Sequence, residues 1–410
     1  MTTDLFHDPH RYGDMDAWRA DALALHAAGP VHRIEAPGFR PFWVVIGHDE
    51  VMSVERQPKL FTNAPFPVLS NEAGIAASSA TGPQIRTLIH MDDPDHLEYR
   101  RLTADWFRPA SLDRLTGRLD DLSEQALEQL RSAGGRIDFN REIAMHYPLQ
   151  VILAILGLPE SDYPRMLQLT QELFGATDPD LQRGEATPEE ITNVLLDFYA
   201  YFTGLTADRR ADPKDDLASL IANGTIRCEP MPELEQMGYY TIVATAGHDT
   251  TAASMAEGMY RLATNPDQLA LLQEHPELMS TAVDEMIRLS SPVRHFMRHA
   301  QDDTEIAGTP IARGDWVMLN YTAANLDPRI FDDPLRFDVT RHNADRHIAF
   351  GFGVHFCLGA QLARMELRSL FSHLVPALES VELDGPPATS KAVFVSGHKR
   401  LPIRYSLRHP

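Results

Sequence analysis

Phe350-Gly351-Phe352-Gly353-Val354-His355-Phe356-Cys357-Leu358-Gly359 leads into a segment where Leu358, Leu362, Met365 and Leu370 alternate with Gln361, Arg364 and Arg368. That spacing is helical. Cys357 therefore stands at or just before a helix N-terminus, where the macrodipole and unpaired backbone N–H groups favour a thiolate able to ligate a metal. Gly351, Gly353 and Gly359 lack a Cβ, so the backbone can turn sharply and let a flat group approach the sulfur. An isolated cysteine is more often a plain core residue. Three glycines and two aromatics at these spacings favour the ligand reading here.

Working outward, a helical pattern of about 30 residues runs from Pro232 to Ala263, enough to cross roughly 45 Å of protein. Its middle reads Ala246-Gly247-His248-Asp249-Thr250-Thr251. Gly, Asp and Thr are poor helix-interior residues, and such a local conflict marks a functional site. The Thr250 hydroxyl can turn toward the Ala246 carbonyl four residues back, which opens a groove in the helix.

The cysteine segment matches Phe-Gly-x-Gly-x-x-x-Cys-x-Gly, the haem-binding loop of the cytochrome P450 superfamily, and the hexad resembles that family's Ala/Gly-Gly-x-Asp/Glu-Thr motif. The resemblance implies a mainly α fold, a triangular prism of about a dozen helices with small peripheral β-sheets. It implies haem b as cofactor and Cys357 as the axial thiolate, whose electron donation favours O–O cleavage. Thr250 would steady the oxygen being split, and Asp249 would relay protons from solvent into a dry site.

Further motifs extend the likeness. Glu285-Met286-Ile287-Arg288 resembles Glu-x-x-Arg, and Pro334-Leu335-Arg336-Phe337 the segment supplying a third charged partner, Arg336, to a buried network. His96 and Arg100 match a His-x-x-x-Arg element whose i,i+4 spacing puts both on one helix face. Together with Arg298 and His355 they are implied partners of the haem propionates. By positional analogy the substrate pocket is walled by Ile242, Ala246, Val293, Phe296 and Phe394, under a mobile loop over residues 71–88. His295 and His299 lack a zincin pattern, and Pro292 argues against a helix there, so no metal pair is read. Asn325-Leu326-Asp327 stands where the family often has Asn-Arg-Asp.

The phrases Leu102-Thr103-Ala104-Asp105-Trp106-Phe107-Arg108-Pro109-Ala110-Ser111, Leu169-Thr170-Gln171-Glu172-Leu173-Phe174-Gly175 and Ala244 to Thr251 resemble bacterial terpineol-hydroxylating members. This implies a monooxygenase acting on a small apolar substrate, a monoterpenoid or alkyl-aromatic. Electrons would come from a ferredoxin and its NAD(P)H-dependent reductase, with Arg100, Arg101, Arg108, Arg364 and Arg368 as a docking patch. Two alternatives stay open: a peroxide-driven haem-thiolate peroxygenase and a non-catalytic haem-based ligand sensor.

Composition sets the remaining bounds. The 410 residues carry no linker, low-complexity tract or repeat, so one domain over residues 1–410 is expected. With 43% hydrophobic and 23% charged residues, the chain reads as an ordinary globular protein. A net charge of −21 argues against nucleic-acid binding and against a polybasic membrane anchor. The longest apolar run, Val151 to Leu158, is too short to span a bilayer. Cys228 and Cys357 are the only cysteines, which suits a reducing compartment. A cytoplasmic monomer is the expectation. Strands are expected at Val31–Ile34, Phe42–Ile46, Trp316–Tyr321 and Val393–Val395. Helices are expected from Leu112 to Gly134 and, capped by Thr187, from Pro188 toward Phe202.

Overall fold

The computed structural model describes residues 4–80, 86–174 and 188–408. Thr187, Gly175 and Ile85 lie outside them. The described chain is mainly helical, as its 3.6-residue apolar periodicity predicts. The helices that position the site are α1 (Met15–Leu25), α2 (His48–Glu55), α3 (Asp95–Ala104), α4 (Thr116–Ser132), α5 (Tyr147–Ile155) and α6 (Tyr163–Phe174). They continue with α7 (Pro188–Ala211), α8 (Glu233–Ala246), α9 (Asp249–Thr264), α10 (Met279–Ser290) and α11 (Ala360–Ala377).

Leu119, Leu122 and Leu130 of α4, Val151 of α5, Met255 of α9 and Leu370 and Phe371 of α11 share one large apolar core. One close crossing in it is at Gly258, where a Cβ would come within 2.7 Å of Met286 Sδ and 2.8 Å of the Phe371 ring. The residues from Leu112 onward do not make one helix. A short turn over Pro109–Leu112 and a 3₁₀ turn over Asp113–Leu115 precede α4, and Gly134 and Gly135 end the segment at positive φ.

A five-stranded sheet flanks the helices in the order β1-β2-β6-β5-β3, from β1 (Val31–Ile34), β2 (Phe42–Val45), β3 (Phe61–Thr62), β5 (His295–Ala300) and β6 (Trp316–Asn320). Strand β2 lies parallel to β6, with Phe42 beside Trp316, and β5 runs antiparallel to β6, with His295 beside Asn320. Both faces are covered. Phe42, Val44 and Met318 enter one apolar cluster while Val45, Val317 and Leu319 enter another, as the two-residue period of a strand requires. A second sheet joins β4 (Arg136–Asp138), β7 (Leu378–Leu383) and β8 (Pro402–Leu407) in the order β7-β8-β4.

Three further expectations change. The long central helix is broken at Gly247-His248 into α8 and α9. Residues Glu72–Ala80 of the expected mobile loop are helical. Of Val393–Val395 only Val395 is paired, in an isolated bridge to Val293. Among the described residues no helix is long and apolar enough to cross a membrane.

Candidate active site

The cysteine loop is held from behind. Gly351 and Gly353 both adopt φ of +68°, and a Cβ on Gly353 would lie 2.5 Å from the Glu55 carbonyl oxygen. Only glycine fits there. Gly359 caps α11 at an ordinary φ of −87°, with open space around it. The Cys357 N–H donates to the Phe350 carbonyl at 2.9 Å, which closes the loop. Cys357 itself is solvent-accessible, although enough protein surrounds the sulfur to desolvate it. Burial pushes its thiol up. The Gly359 and Ala360 N–H groups, Arg100 and Arg364 oppose that without overcoming it. The helix terminus alone therefore does not ionise Cys357. A bound metal ion would, because coordination deprotonates a thiol outright.

Across the α8–α9 break, the Thr250 hydroxyl donates to the Ala246 carbonyl at 2.6 Å. Gly247 permits the break to pack on α5, since a Cβ would sit 3.0 Å from Ile152 Cδ1. His248, fully buried, approaches the Met145 carbonyl through Nε2 at 2.7 Å and the Thr170 hydroxyl through Nδ1 at 3.2 Å. A carbonyl only accepts, so Nε2 carries the hydrogen and Nδ1 is left as an acceptor. Asp249 Oδ1 lies 3.5 Å from that Nδ1, and Asp249 Oδ2 is buried with no hydrogen-bond partner. Burial pushes the Asp249 carboxyl up to about 8, and drives His248 down to about 4. Asp249 thus keeps its proton at neutral pH beside a neutral imidazole. Sequence reasoning assigned His248 no role; the signal available was its place beside Asp249 in the motif.

On the other side of the cysteine loop, four basic side chains converge. The His96 and His355 rings stand 4.0 Å apart between centroids, and Arg100 donates to the Phe356 carbonyl at 2.6 Å. His96 Nδ1 is buried without a hydrogen-bond partner. Burial and then the Arg100 charge bring His96 down to about 4. Burial, His96, Arg298 and Arg100 bring His355 to about 2. Arg298, on β5, donates to Glu55 Oε1 at 2.9 Å and to the Met297 carbonyl at 3.0 Å.

Of the pocket candidates, Phe296 and Phe394 meet edge to face at 5.5 Å between centroids. Val293 joins them through its bridge to Val395, next to Phe394. Ile242 and Ala246 lie on α8, Ala246 exposed and Ile242 half-buried. His295 is committed to the Leu69 N–H and the Val393 carbonyl, and His299 to the Phe66 carbonyl.

The scaffold network needs one correction. Glu285 and Arg288 are wholly buried and paired through two bonds, of 2.6 and 2.7 Å. The third charge is Arg341, whose Nε lies 3.1 Å from Glu285 Oε1, and not Arg336. Arg336 is exposed and offers only its backbone carbonyl, to Arg341. The buried neighbours Pro334 and Phe337 anchor that segment inward and leave Arg336 facing solvent. Asn325 is built into the same region: its side chain donates to Ser291 Oγ and accepts from the Ile348 N–H, both at 2.8 Å.

The family model for cytochrome P450 matches residues 206–400. Cytochrome P450-terp of Pseudomonas sp is 39% identical over 97% of this chain and 96% of that protein. The chain belongs to the cytochrome P450 family. Linalool 8-monooxygenase of Pseudomonas putida is 34% identical over 88% of this P450 and 89% of its own length. Among solved structures, CYP108D1 from Novosphingobium aromaticivorans superposes with a TM-score of 0.90 at 41% identity, covering 99% of this chain and 98% of that one. CYP268A2 of Mycobacterium marinum, in complex with pseudoionone, gives 0.87 at 28% identity over 95% of each chain.

This P450 is accordingly a monooxygenase whose cofactor is haem, and the residues fit that group. Four converging bases with a partnerless buried His96 Nδ1 suit two propionates, and the glycine loop presents a sulfur beside them. Among the described residues there is no separate cluster of three or more His, Cys, Asp or Glu to hold another metal.

Proposed function

We propose that this cytochrome P450 hydroxylates a small apolar substrate, a monoterpenoid or an alkyl-aromatic, using O₂ and electrons from a ferredoxin with its NAD(P)H-dependent reductase. The apolar wall of Val293, Phe296 and Phe394 carries the substrate reading. The edge-to-face pair of Phe296 and Phe394 offers carbon surface, and the polar groups of neighbouring His295 are already bonded to backbone. Such a wall selects for hydrocarbon and gives little purchase to a charged ligand. The names of two relatives, linalool 8-monooxygenase and a P450 in complex with pseudoionone, point the same way.

Haem, when bound, supplies the activation of O₂ and the oxidising power needed to enter a C–H bond. Cys357 is its protein ligand in this reading, and His96, Arg100, Arg298 and His355 hold the propionates. Thr250 donates its hydroxyl hydrogen bond to the Ala246 carbonyl, so its oxygen is left to act in the site as an acceptor. Asp249 stores the proton to be delivered, at a carboxyl that burial keeps neutral and that His248 Nδ1 steadies. Glu285, Arg288 and Arg341 maintain the scaffold.

Electron delivery is assigned to the exposed arginines of the expected patch, Arg101, Arg108 and Arg368, of which Arg108 lies 2.9 Å from the exposed Asp105. Arg100 and Arg364 fall out of that patch. The first is bonded to the Phe356 carbonyl, and the second to Asp284 at 2.6 Å. A peroxide-driven enzyme is disfavoured by the presence of both Asp249 and Thr250, which it would not need. The test is product formation from a panel of monoterpenoids and alkylbenzenes, with ferredoxin, reductase and NAD(P)H against hydrogen peroxide alone. A low-to-high-spin shift and product in the reconstituted system are expected. Product only with peroxide, or binding only of carboxylated ligands, would overturn the proposal.

A further inference from the structure

Glu55, the last residue of α2, is a buried carboxylate with no counterpart among the motifs that define the site. It is 4% exposed. Its Oε1 accepts from Arg298 at 2.9 Å and from the Tyr321 hydroxyl at 2.7 Å. It also lies behind the cysteine loop. A Cβ on Gly351 would stand 3.6 Å from Glu55 Oε1, and one on Gly353 would strike its backbone. The Glu55 carboxyl is also hydrogen-bonded by the Phe352 backbone, so one side chain links Arg298 on β5 to the loop that carries Cys357.

A guanidinium has five N–H donors in a rigid fork. Arg298 gives one to the Met297 carbonyl and one to Glu55, and its charge also acts on His355. Arg298 is thus oriented by Glu55 while still facing the basic cluster assigned to the propionates. We propose that Glu55 is a positioning residue for the cofactor: it shares Arg298 with a haem propionate, fixes the guanidinium, and sets the charge presented to the iron.

This inference rests on the haem assignment above. A fixed negative charge near a redox centre disfavours the added electron, and low surrounding polarity magnifies the effect. Glu55→Gln keeps the shape and a hydrogen-bond acceptor but removes the charge. The midpoint potential of the iron should then rise. Arg298→Gln should lower it. The shift in the double variant should differ from the sum of the two, because the residues are in direct contact.

The experiment is a spectroelectrochemical titration of the haem-loaded wild type and these three variants, each first checked for its ferrous carbon monoxide spectrum. Glu55→Asp is included in case the glutamine variant does not fold. It keeps the charge, so its potential should stay near wild type while haem passes faster to apomyoglobin as Arg298 loses its fixed partner. An unmoved potential in Glu55→Gln, or equal potentials in the Asp and Gln variants, overturns the inference and reduces Glu55 to a packing residue. Absence of the red-shifted Soret band in wild type overturns the haem-thiolate assignment instead. The two failures are distinguishable.

Discussion

His248 turns Nδ1 toward Asp249, 3.5 Å from Oδ1, while its Nε2 donates to the Met145 carbonyl at 2.7 Å. The tautomer is thereby fixed, and the acid of the oxygen-side motif faces an acceptor with no cation. Burial rather than an ion pair decides its charge state.

Activity should decline as pH rises through about 8, where Asp249 gives up its proton. The same shift carries a stability term. The folded protein binds this proton more tightly than the unfolded chain, so the contribution is complete in acid and fades as pH approaches the folded value. Asp249→Asn, a mimic of the neutral acid, should flatten the decline of thermal stability between about pH 4 and 8 while losing turnover. Melting curves across that range, and rate profiles carried through its upper end, check both.

Thr250→Ala removes the hydroxyl from the Ala246 carbonyl and the acceptor from the site. Product formation should fall by roughly 100-fold, the low end for positioned proton transfer, while O₂ uptake continues and peroxide accumulates. Thr250→Ser should recover part of the coupling. Measuring product and peroxide per NAD(P)H consumed decides it, and coupling as tight as wild type in the alanine variant would remove Thr250 from proton delivery.

Arg341→Ala leaves Glu285 buried with one cation fewer, a loss of about 3–5 kcal/mol for a broken buried pair. Arg336→Ala, at an exposed side chain, should stay within about 0.5 kcal/mol of wild type. Thermal melting of the haem-loaded enzymes, followed at the Soret band, separates the two positions.

Charge reversal at Arg108 or Arg368 should slow reduction by ferredoxin, and the difference should shrink at high salt. Arg100→Glu should instead cost haem, because Arg100 is bonded to the Phe356 carbonyl next to Cys357 and belongs to the cluster assigned to the propionates. Stopped-flow reduction over a salt series, with haem content measured alongside, distinguishes docking from retention. Kinetics unchanged by reversal at both exposed arginines would discard that face.

The local chemistry was readable where one short segment holds all of its own signals. The cysteine loop, the Ala246-to-Thr251 hexad and the Glu285–Arg288 pair each lie within about a dozen residues, and helical or glycine spacing orders them. Strands β1, β2 and β6 were legible for the same reason, to within a residue. The continuous helix through Gly247 was a misreading. The Thr250-to-Ala246 bond was legible from the i,i+4 spacing, but the full break into two helices involves the packing of Gly247 on Ile152, which no local spacing records.

The sequence by itself determined the family, the cofactor and the residue types available to hold it, because those reside in contiguous motifs. Tertiary structure alone decided which charges meet. Arg341 rather than Arg336 reaches Glu285, Glu55 takes Arg298 from 243 positions away, and Arg100 and Arg364 are tied to the Phe356 carbonyl and to Asp284. The reason is physical: an ion pair or a shifted proton depends on distance and on the removal of water, and neither is encoded within a single stretch of chain.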